Sequence, residues 1–149
     1  MSSKYAFVMM VKEKYWIEYR NRLNGGRDVH SYIVRGAAPP IGAKRVLFYV
    51  TRRVKELRGY ADFVERKVGK PQELWAEYSS ESVLKSRQEF DQFSENASIV
   101  SFVRFKNLRV AANPIPLRSL LIHLATKRIS RKGFYIDKET ADKLVSTME

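Results

Sequence analysis

The 149-residue chain has no cysteine and only two histidines, His30 and His123, which lie far apart in sequence. Disulfides and thiolate metal sites are excluded, and a zinc centre is not expected. Glycine (7) and proline (5) are sparse, and no repeat or low-complexity linker divides the chain. The apolar run Tyr5 to Val11 is closed by Lys12. It is too short for a signal-peptide core or a membrane span, so a cytoplasmic protein that makes no membrane contact is expected. Nucleophile elbow, Walker loop, dinucleotide fingerprint and metal cluster are all missing. No cofactor is therefore expected, and the chain reads as a binding protein before it reads as an enzyme. The most informative lack is of one charge sign: between Ser98 and Ile136 there are eight basic residues and no acidic one.

The remaining charge is segregated too. Residues 1–70 carry sixteen basic against six acidic side chains, and residues 71–97 reverse this with two against six. The whole chain is +12. Charge sorted in this way sets up a directed positive field, which calls for a polyanion, and nucleic acid is the first to consider. The blander reading is solubility alone. At 44% apolar the chain can bury a core, and its length suits one domain, with residues 71–97 as an acidic helical insertion. High Lys/Arg content without cysteine also fits a thermophile.

Periodicity gives the elements. Tyr5–Val11 reads as a buried strand, and Lys12–Leu23 as a helix with Tyr15, Trp16, Tyr19 and Leu23 on its apolar stripe, stopped at Asn24-Gly25-Gly26. Val29–Arg35, Arg45–Thr51, Leu57–Val68 and Ile99–Phe105 read as strands, with Gly59 at a bulge and Leu108–Ala111 continuing the last of them after a bend. Gly36 to Gly42 is a loop, and Asn113-Pro114-Ile115-Pro116 reads as another. Helices are expected over Pro71–Tyr78, Glu81–Phe93 and Leu117–Ala125, then a short strand Gly133–Ile136 and a final helix capped by Asp137. Strands that follow one another directly point to an α+β fold, with a mixed or antiparallel sheet closed into a small barrel and flanked by helices.

Four constellations carry the candidate chemistry. On the first helix, Lys12, Trp16 and Arg20 share a face, with Arg22 nearby. An aromatic between cations can stack a base, although Trp16 can equally belong to the core stripe. Tyr49, Thr51, Arg52 and Arg53 end the most apolar strand, where they either present donors at a rim or blunt a hairpin. Arg104 and Lys106 alternate with Phe102 on one strand face, and Arg109 follows. Lys127, Arg128, Arg131 and Lys132 form the densest basic run, suited to phosphate contact. Lys14 and Glu18, at i and i+4, are the acid/base candidates and also a plain helix-surface pair.

The stretch Ile41 to Thr51 followed by Leu57 to Phe63 resembles the PUA-like superfamily in its ASCH and EVE branches. Phe105 to Arg109 with Asn113 to Leu117 resembles the segment after the helical insertion in those domains, and Gly133 to Asp137 resembles an archaeal group among them. Glu18-Tyr19-Arg20 matches the E-x-R end of the ASCH signature, with Lys14 one residue out of register. The resemblance implies a pseudobarrel that binds RNA, with a pocket for a base or modified base at the barrel mouth near Trp16, Arg20 and Tyr49. It also implies an alternative, a small amidohydrolase acting on modified nucleosides, with Lys14 and Glu18 as its acid/base candidates; a further alternative, read from the acidic helices, is an interaction module of a ribonucleoprotein.

Overall fold

The computed structural model describes residues 3–23 and 28–149. Its elements are β1 (Ala6–Val11), α1 (Glu13–Leu23), β2 (Val29–Arg35), β3 (Arg45–Val50), β4 (Glu56–Gly69), α2 (Pro71–Tyr78), α3 (Arg87–Phe93), β5 (Val100–Pro116), α4 (Leu117–Leu124), β6 (Phe134–Ile136) and α5 (Lys138–Met148). The strands form one mixed sheet in the order β2-β5-β4-β3-β1-β6. β1 and β3 run parallel, pairing Ala6 with Arg45 through to Val11 with Val50. The other neighbours are antiparallel.

The apolar run of β3 is explained by two-sided burial. Val46, Phe48 and Val50 face a cluster under α1, and Leu47 and Tyr49 face a cluster under α4 and α5. α1 seats Trp16 5.6 Å from Phe48 and Tyr19 5.3 Å from Phe105, measured between ring centroids. The bulge expected at Gly59 is present, with register shifts on both sides of β4. Bare backbone is needed there because a Cβ on Gly59 would stand 2.5 Å from both the Arg109 carbonyl and the Trp16 ring. At the far end of the chain, the Asp137 carboxylate accepts the Thr140 N–H at 2.8 Å and starts α5. That bond, repeated by the Thr140 hydroxyl, holds Asp137 below its ordinary range.

Three expectations are corrected. The sheet is not closed into a barrel: β2 and β6 are its edges. β6 already occupies the outer side of β1 at Ala6–Val8, so β2 reaches β1 only through a side chain, the Tyr32 hydroxyl donating to the Met10 carbonyl at 3.1 Å. The segment Asn113–Pro116 is not a loop but the end of β5, with Leu57 opposite Ile115 and Glu56 opposite Pro116. Its prolines are tolerated because β2 pairs with β5 only as far as Lys106, which leaves an open edge beyond. The second insertion helix starts at Arg87 rather than Glu81: Ser86 Oγ accepts the Glu89 N–H at 3.1 Å, and Glu89 reaches back to the Lys85 N–H at 3.0 Å. Residues 79–81 form only a 3-10 turn. The expected helix stop at Asn24-Gly25-Gly26 lies outside the described residues.

Gly59→Ala should lower stability by about 2 kcal/mol through overpacking between β5 and Trp16. Ala125, left-handed at φ 53° after α4, should tolerate Ala125→Gly with a gain of about 0.5–1 kcal/mol. Chemical denaturation of the two variants checks both signs.

Candidate nucleic-acid interface

Because β1 and β3 are parallel and in register, both strands leave the sheet at the same end. Val11 runs into Lys12 and α1, and Val50 runs into the turn Thr51–Lys55. Thr51 N–H donates to the Val11 carbonyl at 3.0 Å and locks the two exits together. Arg52 (φ 61°) and Lys55 (φ 50°) both hold left-handed backbone, at about 1 kcal/mol each for residues with a Cβ. The Lys55 carbonyl accepts the Leu117 N–H at 2.9 Å, tying the turn to the start of α4.

The basic run arrives at the same place from the other side. Ala125 ends α4 in the left-handed region, with the Thr126 N–H on the Leu121 carbonyl at 3.1 Å. This closes the helix and sends Lys127–Lys132 back over the β1–β3 exits. Gly133 (φ 87°) then turns the chain into β6 so tightly that a Cβ would meet the Phe7 ring at 2.5 Å.

Three overlapping hollows result. The first, about 370 Å³, lies between Lys12, Lys14 and Thr51–Arg53. The second, about 680 Å³, has Tyr49 and Thr51 in its wall with Arg52, Lys55, Lys127, Arg128 and Arg131 around it. The third, about 440 Å³, lies in the open seam between β1 and β2, with Arg35, Arg131 and Lys132 at its rim. The first two share Thr51 and Arg52, and the last two share Met10 and Arg131, so they form one trench. Ten cations line it against one carboxylate, Glu13. Among the described residues none of the ten forms an ion pair. Arg35 was missed by sequence reasoning, and Lys55 was not singled out. The left-handed turn brings Lys55 in, and Arg35, at the end of β2, is held at the rim by the Phe93 and Glu95 carbonyls.

The other sequence candidates have different placements. Trp16 is 1% exposed and buried against Gly59 and Phe48, so its indole packs the core and offers no face to a base. Tyr49 is 5% exposed and belongs mainly to the α5-side core, and burial raises its phenol above the ordinary range. Arg22 donates to the Ser82 carbonyl, holding α1 to the insertion. Arg20, Lys106 and Arg109 are exposed but line none of the three hollows. Glu18 faces Lys85 at 3.9 Å, and the Lys14 ammonium lies 5.0 Å from the Tyr15 ring centroid, so the two do not form an acid/base couple. Among the described residues no group of three metal-ligating side chains is assembled.

Arg104 is a tie between the sheet and the insertion. Its guanidinium forks onto Glu81 with two 2.8 Å bonds, bonds Glu65, and lies 4.7 Å from the Tyr78 ring centroid. Glu81 also accepts Ser31 Oγ at 2.8 Å. Burial pushes the Glu81 carboxyl up, but the bonds from Arg104 and Ser31 outweigh it and leave the group below its ordinary 4.5. The folded state thus binds fewer protons at Glu81 than the unfolded chain. The stabilisation is present above about pH 4.5 and is lost as pH falls through the lower folded value. Arg104→Ala should cost about 2 kcal/mol by leaving the half-buried Glu81 carboxylate without its guanidinium, and Glu81→Gln should flatten the acid limb of a stability–pH curve. Arg52→Ala in the trench should change stability by less than about 0.5 kcal/mol.

The open six-stranded α+β sheet flanked by helices is the fold of solved ASCH structures. The solved ASCH structures of Zymomonas mobilis superpose over essentially the whole chain. A serine-to-alanine variant matches with a TM-score of 0.80 and 22% identity over 100% of both chains. The unaltered protein matches with a TM-score of 0.78 and 23% identity, over 97% of this chain and 96% of that one. A tyrosine-to-phenylalanine variant matches with a TM-score of 0.78 and 22% identity. The resemblance expected from the sequence therefore holds for the fold. No family model and no curated protein matches the sequence.

Proposed function

We propose that this chain is an RNA-binding domain whose trench holds the phosphate backbone of an unpaired strand. The reading rests on one observation above all. Ten cations line one continuous trench against a single carboxylate, Glu13, and among the described residues none of the ten forms an ion pair. Unpaired cations concentrated along a channel attract a polyanion and release its counterions on binding. Arg52, Arg53, Arg128 and Arg131 supply forked donors suited to phosphate oxygens. The acidic segment packs on β4, β5 and β2 and meets the trench rim at Arg35, which donates to the Phe93 and Glu95 carbonyls; its carboxylates discourage a strand from spreading beyond that rim. The ASCH-type fold supports RNA as the polyanion. Among the described residues no helix is long and apolar enough to cross a membrane. The whole of 1–149 acts as one domain in this reading.

Fluorescence anisotropy with an end-labelled single-stranded RNA decamer at several salt concentrations tests the proposal. If about four phosphates are neutralised, the log–log slope should be about −3. The double variant Arg52→Ala/Arg131→Ala should weaken binding at least tenfold at low salt and make the slope shallower by about 1–2. A flat salt response in the unaltered protein contradicts the proposal.

A further inference from the structure

The hollows of the trench differ in what lines them. The second has an apolar floor, with Met10, Leu117, Leu121 and Ile129 among its cations. The first, between the start of α1 and the turn Thr51–Lys55, has no hydrophobic residue in its lining, which is Lys12, Glu13, Lys14, Thr51, Arg52 and Arg53. Four cations against one carboxylate, in about 370 Å³, make it the most densely positive part of the trench. It shares Thr51 and Arg52 with the second hollow and no residue with the third, so it is one end of the channel.

The two walls of this hollow are fixed to each other. Thr51 N–H donates to the Val11 carbonyl at 3.0 Å, and the Tyr15 and Trp16 N–H groups both donate to the Lys12 carbonyl at 3.1 Å. Lys12–Lys14 and Thr51–Arg53 therefore face each other before any ligand arrives, which lowers the ordering cost of binding. Arg52 holds left-handed backbone at φ 61°. An arginine kept where glycine would be unstrained points to a use for its guanidinium.

Such a lining offers nothing to the apolar face of a base and suits phosphate oxygens. Four cations are more than one bridging phosphodiester, with its single charge, can use. A phosphate monoester at a chain end carries close to two charges near pH 7 and presents three acceptor oxygens. We infer that the first hollow receives a terminal phosphate monoester of the bound strand, so that the trench reads a strand end as well as a run of phosphates. This rests on the trench binding RNA. Lys12, Lys14, Arg52 and Arg53 hold the monoester oxygens, the Thr51 hydroxyl donates one further bond, and Glu13 accepts from a hydroxyl of the end ribose. The strand then continues into the second hollow past Arg52. A 5′ end and a 3′ end can both present this group.

The test uses the full chain and three uridine decamers with the same internal fluorophore: one with hydroxyls at both ends, one with a 5′-phosphate and one with a 3′-phosphate. By anisotropy, at least one phosphorylated decamer should bind about tenfold more tightly than the hydroxyl-ended one. Which of them does so gives the direction of the strand in the trench. Lys14 and Arg53 line only the first of the three hollows, and Lys14→Gln/Arg53→Gln should bring the preference to near unity. Lys127 lines only the second, and Lys127→Gln should weaken all three decamers by a common factor and keep the preference. A thermal melt confirms folding of each variant. Equal binding of the three decamers with a steep salt response overturns the terminal site and leaves the RNA reading standing. A preference that survives Lys14→Gln/Arg53→Gln, or that Lys127→Gln removes as completely, also overturns the site. No salt-dependent binding of any decamer overturns the RNA reading, and the terminal site with it.

Discussion

The parallel register of β1 and β3 is the constraint on which the candidate site depends. Pairing Val11 with Val50 makes two strands end together, so the residues that follow each of them are forced side by side. An antiparallel pair would send Lys12 and Arg52 to opposite ends of the sheet. The parallel pair is secured by burial on both faces, from Phe7, Met9, Val46 and Phe48 under α1 and from Val8 and Leu47 under α5. Because this core is continuous with the sheet, the turn Thr51–Lys55 rests on a rigid base and can hold two cationic residues in left-handed backbone.

Arginine meets two fates in this molecule, and the difference lies in its neighbours. Arg104 projects from β5 toward the insertion, where Glu81 of the insertion and Glu65 of the neighbouring β4 satisfy its fork. It thereby holds the acidic helices to the sheet. Arg52 and Arg131 project from turns that no acidic segment approaches, and their fork remains open. The acid-free stretch from Ser98 to Ile136 supplies one wall of the trench and the β3–β4 turn supplies the other. Carboxylate placement therefore makes Arg104 a structural tie and leaves Arg52 and Arg131 open to a ligand.

Much of this could be read from residue order. The continuous apolar run of Val46 to Val50, the Asp137 cap, the Gly59 bulge and the loop of Gly36 to Gly42 are local signals, and each appears where its chemistry demands. Of the site, Arg52, Arg53, Lys127, Arg128, Arg131 and Lys132 were identifiable as clustered charge. What was hidden depends on contacts distant in sequence. Trp16 looks like a stacking residue between cations until Gly59, forty-three positions later, is seen to make room for its ring. Arg104 looks free until Glu81 arrives from the insertion. The openness of the sheet turns on a three-residue strand, Phe134–Ile136, claiming the side of β1 that a closing β2 would need. Pairing of this kind has no signature in a local window, which is why barrel closure was expected and an open seam was found.

The central claim is that two segments distant in sequence, 51–55 and 127–132, form the two walls of one RNA-contacting trench. Residue-resolved amide shift mapping by NMR during titration with a single-stranded RNA decamer tests it most directly. The account requires the largest shifts to fall together on Thr51–Lys55 and Lys127–Lys132, with α2 and α3 unmoved. Shifts centred on residues 71–97, or spread evenly over the surface, would contradict it.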